Sequence, residues 1–234
     1  MGRASSKAHS TDEKREVDYY QSLNIDFDQL DGARERLSLQ HDILREIFYG
    51  NFSSPINNLL QAGDAKVLNI GCGNGVWLFE MNSDFPDSFL VGIDKSPQLF
   101  PQSKPSNVQF VISDMQKGLP FQSDSFDFIY MRFLALNFRD SEWDNLIKES
   151  IRVLKPGCWL EITDVETDVK NPGPCTTKMT NEAIKFLSKR SINPQVIFLT
   201  EEFIKSCNTH NIQHMERYLP LEAWELNIKT WAKL

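Results

Sequence analysis

The sequence has no surplus of positive charge. Its 25 Lys and Arg stand against 32 Asp and Glu, a formal net charge of −7, and the basic residues are dispersed rather than clustered. Such an average surface repels a phosphate backbone, so nucleic acid is not an expected partner. No apolar run reaches the roughly 18 residues that a bilayer span needs, so integral membrane insertion is not expected either. Cysteine is scarce: Cys72, Cys158, Cys175 and Cys207 lie far apart with no C-x-x-C pair, and no secretory leader is evident. That usage fits free thiols in a reduced compartment, with the cytoplasm expected and the nucleus compatible. Among four histidines, only His210 and His214 stand at i, i+4, and HNIQH lacks the glutamate of a zinc-protease helix. A surface helix is the better reading there, and no metal site is expected.

What is present suits an α/β enzyme. Hydrophobic residues make up 41% of the 234, led by 16 Phe, enough for a sizeable core. Residues 1–28 are polar and mixed in charge and read as a flexible tail before one domain over 29–234. Within the tail, Met1-Gly2-Arg3-Ala4-Ser5-Ser6 fits the short M-G-x-x-x-[ST] acylation pattern. From Ala33 to Phe48 the apolar residues Leu37, Leu44 and Phe48 fall at helical spacing. Strands and helices then alternate: Lys66–Ile70, a helix from Val76, Phe89–Asp94, Val108–Ser113, Phe126–Met131, a helix over Glu142–Leu154, and Trp159–Val165. This order predicts a doubly wound, mostly parallel sheet. Pro97, Pro101 and Pro105 break the second crossover into loop. Helices are expected over Thr177–Arg190 and Glu201–Asn208, with a sixth strand at His214–Leu219.

The most informative stretch is Lys66–Gly75, KVLNIGCGNG, an apolar run that ends in Gly71, Gly73 and Gly75. Alternating glycines at a strand end permit positive φ and let a ligand touch the main chain. Nineteen residues beyond Gly75, a second apolar run, FLVGID, ends in Asp94. In a doubly wound sheet that carboxylate lies beside the glycine turn, where it can accept from both hydroxyls of a ribose. A dinucleotide fingerprint would need a glycine at position 76, which is Val76. The spacing is instead G-x-G-x-G, which suits a nucleoside whose amino-acid tail lies over the turn.

With VQFVISDM, LPFQSDSFDFIYMR and VLKPGCWLEI following in order, the chain resembles the class I S-adenosylmethionine-dependent methyltransferases from about Asp31 to Val165. The segment Leu30–Phe48 and the G-N-F-x-x-P-I linker after it look like the fungal branch that includes regulators of secondary metabolism. The resemblance implies S-adenosylmethionine as cofactor, with Gly71, Cys72, Gly73 and Gly75 forming the loop under its methionine part. It makes Asp94 the ribose ligand, Asp114 the adenine-amine acceptor, Met115 the residue packed on the ring, and Met131 part of the strand end that faces the reacting methyl. Asn69 departs from the family, which usually has an acidic residue there. The Asn-Pro-Pro-Tyr motif of base-modifying members is absent, since MRFLALNF occupies its place.

A general base is required only for an acceptor protonated at working pH. Glu161, Asp164, Glu166, Tyr19 and Tyr20 are candidates, and no motif singles one out. The acceptor is a small molecule or a protein. A second reading is a methyltransferase-like regulatory or scaffold protein that works through a protein partner. The family's sheet ends with an antiparallel strand; the sequence leaves open whether Trp224–Leu234 supplies it or whether it is missing.

Overall fold

The computed structural model describes residues 30–209, 211–221 and 224–233, the side chains at 30, 31, 168 and 219–233 excepted. The tail with its acylation pattern, Tyr19, Tyr20 and His210 lie outside the described residues. The elements in order are α1 (Leu30–Phe48), α2 (Asn57–Gln61), β1 (Lys66–Ile70), α3 (Val76–Asp84), β2 (Phe89–Asp94), β3 (Val108–Ile112), β4 (Phe126–Arg132), α4 (Asp140–Val153), β5 (Leu154–Lys170), α5 (Pro174–Lys189), α6 (Val196–Ser206), β6 (Ile212–Leu221) and β7 (Trp224–Lys233).

These strands form one open sheet in the order β3-β2-β1-β4-β5-β7-β6. Strands β1 to β5 pair in parallel. The doubly wound, mostly parallel sheet expected from the strand–helix alternation is therefore the fold. The strand left in doubt is Trp224–Lys233: its backbone runs antiparallel to β5 on one side and to β6 on the other. Its sequence, WELNIKTWAK, alternates weakly, which hid it. His214 lies on β6 and not on a helix, so the expected histidine helix face is not formed. Pairing with β7 holds that segment extended.

Between β2 and β3 only a short 3-10 turn, Pro97–Leu99, replaces a crossover helix, as the three prolines require. β5 is longer than expected because its register shifts after Leu154, where Lys155-Pro156-Gly157 bulge out before Trp159 pairs with Phe128.

The two sheet faces read as period-two sets. Leu68, Ile70, Ile129 and Met131 join Trp143, Leu146 and Ile147 of α4 and Val196 and Ile197 of α6 in one buried cluster. Val67, Phe128 and Tyr130 join Trp77, Leu78 and Met81 of α3 and Leu60 of α2 in the other. Trp143 is fully buried and donates its indole N–H to the buried Thr200 hydroxyl at 3.0 Å, so its one polar atom is satisfied. Among the described residues no helix is long and apolar enough to cross a membrane.

Helix α3 rests directly on β2. A Cβ at Gly92 would lie 2.5 Å from Leu78 Cδ1 and 2.7 Å from Cys72 Sγ. We therefore expect Gly92→Ala to destabilise the protein by about 1–3 kcal/mol through overpacking, read as a lowered urea midpoint. An unchanged midpoint would mean that α3 is not seated on the strand.

Candidate functional site

A cleft of about 620 Å³ opens at the carboxyl ends of β1, β2, β3 and β4, the ligand position of doubly wound sheets. Gly71, Cys72, Gly73, Asn74, Asp94, Asp114, Met115, Tyr130 and Arg132 line it, with α1 residues Ala33, Arg36 and Leu37 opposite.

The glycine turn leaves β1 through three positive φ angles, +69° at Gly71, +54° at Gly73 and +76° at Gly75. The N–H groups of Gly71 and Cys72 donate to the Ile93 carbonyl at 2.8 and 3.1 Å, which ties the turn to β2. The Gly73 N–H donates to Asp94 Oδ2 at 2.9 Å, and the Ser96 N–H donates to Oδ1 at 2.9 Å. Each carboxylate oxygen keeps lone-pair capacity for a further donor. Asp94 is thus locked beside the turn, as the β2 reading anticipated.

Of the predicted loop residues, Gly75 does not face the cleft. It sits at the start of α3, and a Cβ there would lie 2.6 Å from Phe110 Cζ, so its requirement for glycine comes from packing and positive φ. Gly71 is constrained by Leu134 in the same way, while at Gly73 a Cβ would meet a single atom, the Leu37 Cδ1 of the helix opposite, at a tight 3.3 Å. Cys72 lines the cleft but is buried, and burial pushes its thiol well above the usual range, which leaves a nucleophilic thiolate scarce. Met131 is also displaced from its expected place. It is fully buried in the α4-facing core, because strand alternation puts Tyr130 and Arg132 on the cleft side. Asp114 caps the 3-10 turn Met115–Lys117, accepting from the Gln116 N–H at 3.2 Å, and Met115 is buried against the cleft floor.

Asn69 donates its side-chain amide to the Tyr130 carbonyl at 3.2 Å. It braces β1 against β4 and brings no charge. The Tyr130 ring stacks on Trp77 at 4.5 Å and 10°, and burial raises its phenol above the ordinary range.

Helix α1 roofs the site by polar contacts. Arg34 donates to the Gln98 carbonyl at 2.7 Å, and Asn74 donates to the Arg34 carbonyl and the Ser38 hydroxyl at 3.2 and 3.1 Å. Deeper in, His41 is almost fully buried. Its Nε2 lies 3.0 Å from Glu80 Oε2 and its Nδ1 lies 3.2 Å from an Arg132 guanidinium nitrogen. A guanidinium only donates, so Nδ1 accepts and the proton sits on Nε2, toward Glu80. Burial, joined by the Arg132 charge, lowers the His41 pKa despite the Glu80 contact. Nothing in the sequence marks the His41–Arg132 pair, because 91 residues separate its members.

Two of the carboxylates considered as bases, Glu161 and Asp164, serve the backbone. Glu161 accepts from the Ser53 and Ser54 N–H groups and the Ser54 hydroxyl at 2.7–3.0 Å. Asp164 Oδ2 accepts from the Leu134 and Ala135 N–H groups at 2.9 and 2.8 Å. This fixes the turn after β4, where Phe133 has φ +53°. None of Glu161, Asp164 and Glu166 lines the cleft, and no cluster among the described residues has the makings of a metal site.

Residues 67–157 match the family profile of the methyltransferase domain. The curated "N-methyltransferase verN" of Clonostachys rogersoniana is 30% identical over 146 residues, 60% of this chain and 50% of that protein. The "Secondary metabolism regulator laeA" of Monascus pilosus is 25% identical over 189 residues, 73% of this chain and 49% of that one. The chain thus spans about half the length of these relatives. Among solved structures, Haemonchus contortus phosphoethanolamine N-methyltransferase 2 in complex with S-adenosyl-L-methionine superposes with a TM-score of 0.57 at 18% identity, over 81% of this chain and 55% of that one. The class I methyltransferase fold expected from the motif order is the one observed.

Burial lifts Asp164 from 3.8 to about 6. The native state then binds more protons than the unfolded chain between these values, so this group's contribution to stability falls as pH rises from about 4 to about 6, with a slope of at most ~1.4 kcal/mol per pH unit. Asp164→Asn should remove that component, seen as a flatter urea stability profile across the window. Asp164→Ala should cost about 2–4 kcal/mol at pH 7 by leaving two buried N–H groups unpaired. Identical pH profiles for wild type and Asp164→Asn would contradict this assignment.

Proposed function

We propose that the protein is an S-adenosylmethionine-dependent methyltransferase acting on a small-molecule or protein acceptor. The observation that carries this reading is Asp94, held by the Gly73 and Ser96 N–H groups at 2.9 Å beside a glycine of positive φ, both of them lining the cleft. A ribose fits the spare lone pairs of Asp94, an adenine fits between Asp114 and Met115, and an amino-acid tail fits over Gly71 and Gly73. The donor set suits a nucleoside joined to an amino acid better than a pyrophosphate, since α3 presents Val76 where a dinucleotide fingerprint has glycine.

When bound, the cofactor supplies a methyl group made electrophilic by its sulfonium. The chain's own contribution is alignment and exclusion of water. Asp94 and the turn hold one side of the cleft, α1 roofs it, and Tyr130, Arg132 and Phe133 bound the space left for an acceptor. The regulatory or scaffold reading is favoured by one observation, the neutral Asn69 committed to Tyr130, which offers no charge to a ligand ammonium.

Calorimetry with S-adenosylhomocysteine and with NAD separates these readings. S-adenosylhomocysteine should bind and NAD should not. Asp94→Ala should weaken S-adenosylhomocysteine by about ten- to a hundredfold, the worth of charge-assisted hydrogen bonds at roughly 1.5–3 kcal/mol. Gly73→Val should abolish binding by placing a branched side chain on a cleft-lining turn residue of φ +54°. Tight NAD binding would overturn the assignment, and a folded protein that binds neither would favour the scaffold.

A further inference from the structure

Two features of the acceptor side of the cleft bear on what it methylates. The first is an arginine without a carboxylate. Arg132 ends β4, lines the cleft and contacts the His41 ring, and no Asp or Glu lies within ion-pair distance of it among the described residues. Its surroundings crowd it: the buried His41 ring lies against it, Glu80 Oε2 stands 3.0 Å from the far side of that ring, and Glu80 is in turn paired with Arg45 Nε at 3.3 Å. A guanidinium that is part-buried, lines the cleft and has no carboxylate partner in a chain of net charge −7 keeps donors for an anion beyond the one nitrogen it spends on His41. Leu37, Phe133, Leu134 and Phe138 give the same cleft apolar surface.

The second feature is the lack of a base. Among the described residues, Asp94 and Asp114 are the only carboxylates lining the cleft, and both belong to the proposed cofactor side. Glu161 and Asp164 are turned to backbone N–H groups. Tyr130 is kept protonated by burial, and so is Cys72. His41 uses its accepting nitrogen on Arg132. An acceptor that must lose a proton finds no group among the described residues to take it.

Resting on the methyltransferase reading, we propose that the acceptor is a carboxylate carried on an apolar body and held by Arg132. A carboxylate is already ionised at neutral pH and needs no base. Its oxygen supplies the electron pair of the new bond to the methyl carbon, the carbon–sulfur bond breaks with its pair going to sulfur, and a neutral methyl ester and a neutral thioether result. No proton moves. Amine and thioether acceptors also need no base when neutral, but each becomes a cation on methylation, next to a fixed guanidinium. The charge of Arg132 opposes those products and favours an acceptor whose negative charge it has gathered.

The test uses the full chain and three probes that share one apolar body: cinnamate, cinnamamide and cinnamylamine. Binding is followed by ligand-observed NMR, with and without saturating S-adenosylhomocysteine. Cinnamate should bind at least about tenfold more tightly than the amide or the amine, as a charge-assisted contact implies. Arg132→Gln should bring the three within about twofold, and Arg132→Lys should keep part of the preference. A cooperative thermal transition in each variant shows that the fold is intact. An amide or amine that binds as well as cinnamate, a preference that survives Arg132→Gln, or no cinnamate binding at all overturns the proposal. Failure of S-adenosylhomocysteine to bind strikes the methyltransferase reading instead, and the cinnamate preference measured without it still decides the role of Arg132.

Discussion

Backbone N–H groups received by side-chain carboxylates hold together the rim of this sheet. Where a parallel strand ends, the chain leaves the ladder with unpaired donors, and burying them unsatisfied is costly. Asp94 takes those of Gly73 and Ser96, Asp114 that of Gln116, and Asp164 those of Leu134 and Ala135, while Glu161 does the same for Ser53 and Ser54 in the linker between α1 and α2. The loops that shape the cleft are therefore pinned by their main chains. Two of these carboxylates, Asp164 and Glu161, are buried deeply enough that desolvation raises their pKa despite the donors. Anchoring the rim thus works against part of the charge it relies on.

Sequence patterns exposed what is local. Lys66–Gly75 shows a strand by its apolar run and a turn by its glycines, and Asp94 follows at the distance that one helix and one strand require, so spacing alone sets the two side by side. Face and partner were less legible. Met131 and Arg132 are adjacent, and which of them reaches the cleft depends on the register of β4 between β1 and β5. Gly75 shares the spacing of Gly71 and Gly73, yet its constraint is the ring of Phe110, 35 residues later. His41 gave no signal, because a histidine on an amphipathic helix reads as surface until Glu80 and Arg132 are seen on either side of it. Glu161 and Asp164 on β5 looked like chemistry by composition and are anchors, a difference set by what lies opposite them. β7 was hidden because its strand character depends on pairing with β5 and β6 more than on its own residues.

Helix α1 shows how one element serves both packing and the site. Its inner face carries Leu44 into the core and presents Leu37 and Arg36 to the cleft, while Arg34 and Asn74 join it to the loops after β2 and β1. Through His41 it also sets the guanidinium at the end of β4. A displacement of this helix would alter the roof, the glycine turn and Arg132 together.

The grip of Asp164 on Leu134 and Ala135 is made entirely through main-chain donors. The side chains of Phe133, Leu134 and Phe138 contribute nothing to that grip; Leu134 and Phe138 are held by the core instead, and the half-buried Phe133 is the member of this wall freest to be exchanged while its course stays fixed. Related chains could then diverge in the molecules they accept by substitution at that one position, without rebuilding the half of the cleft that faces Asp94.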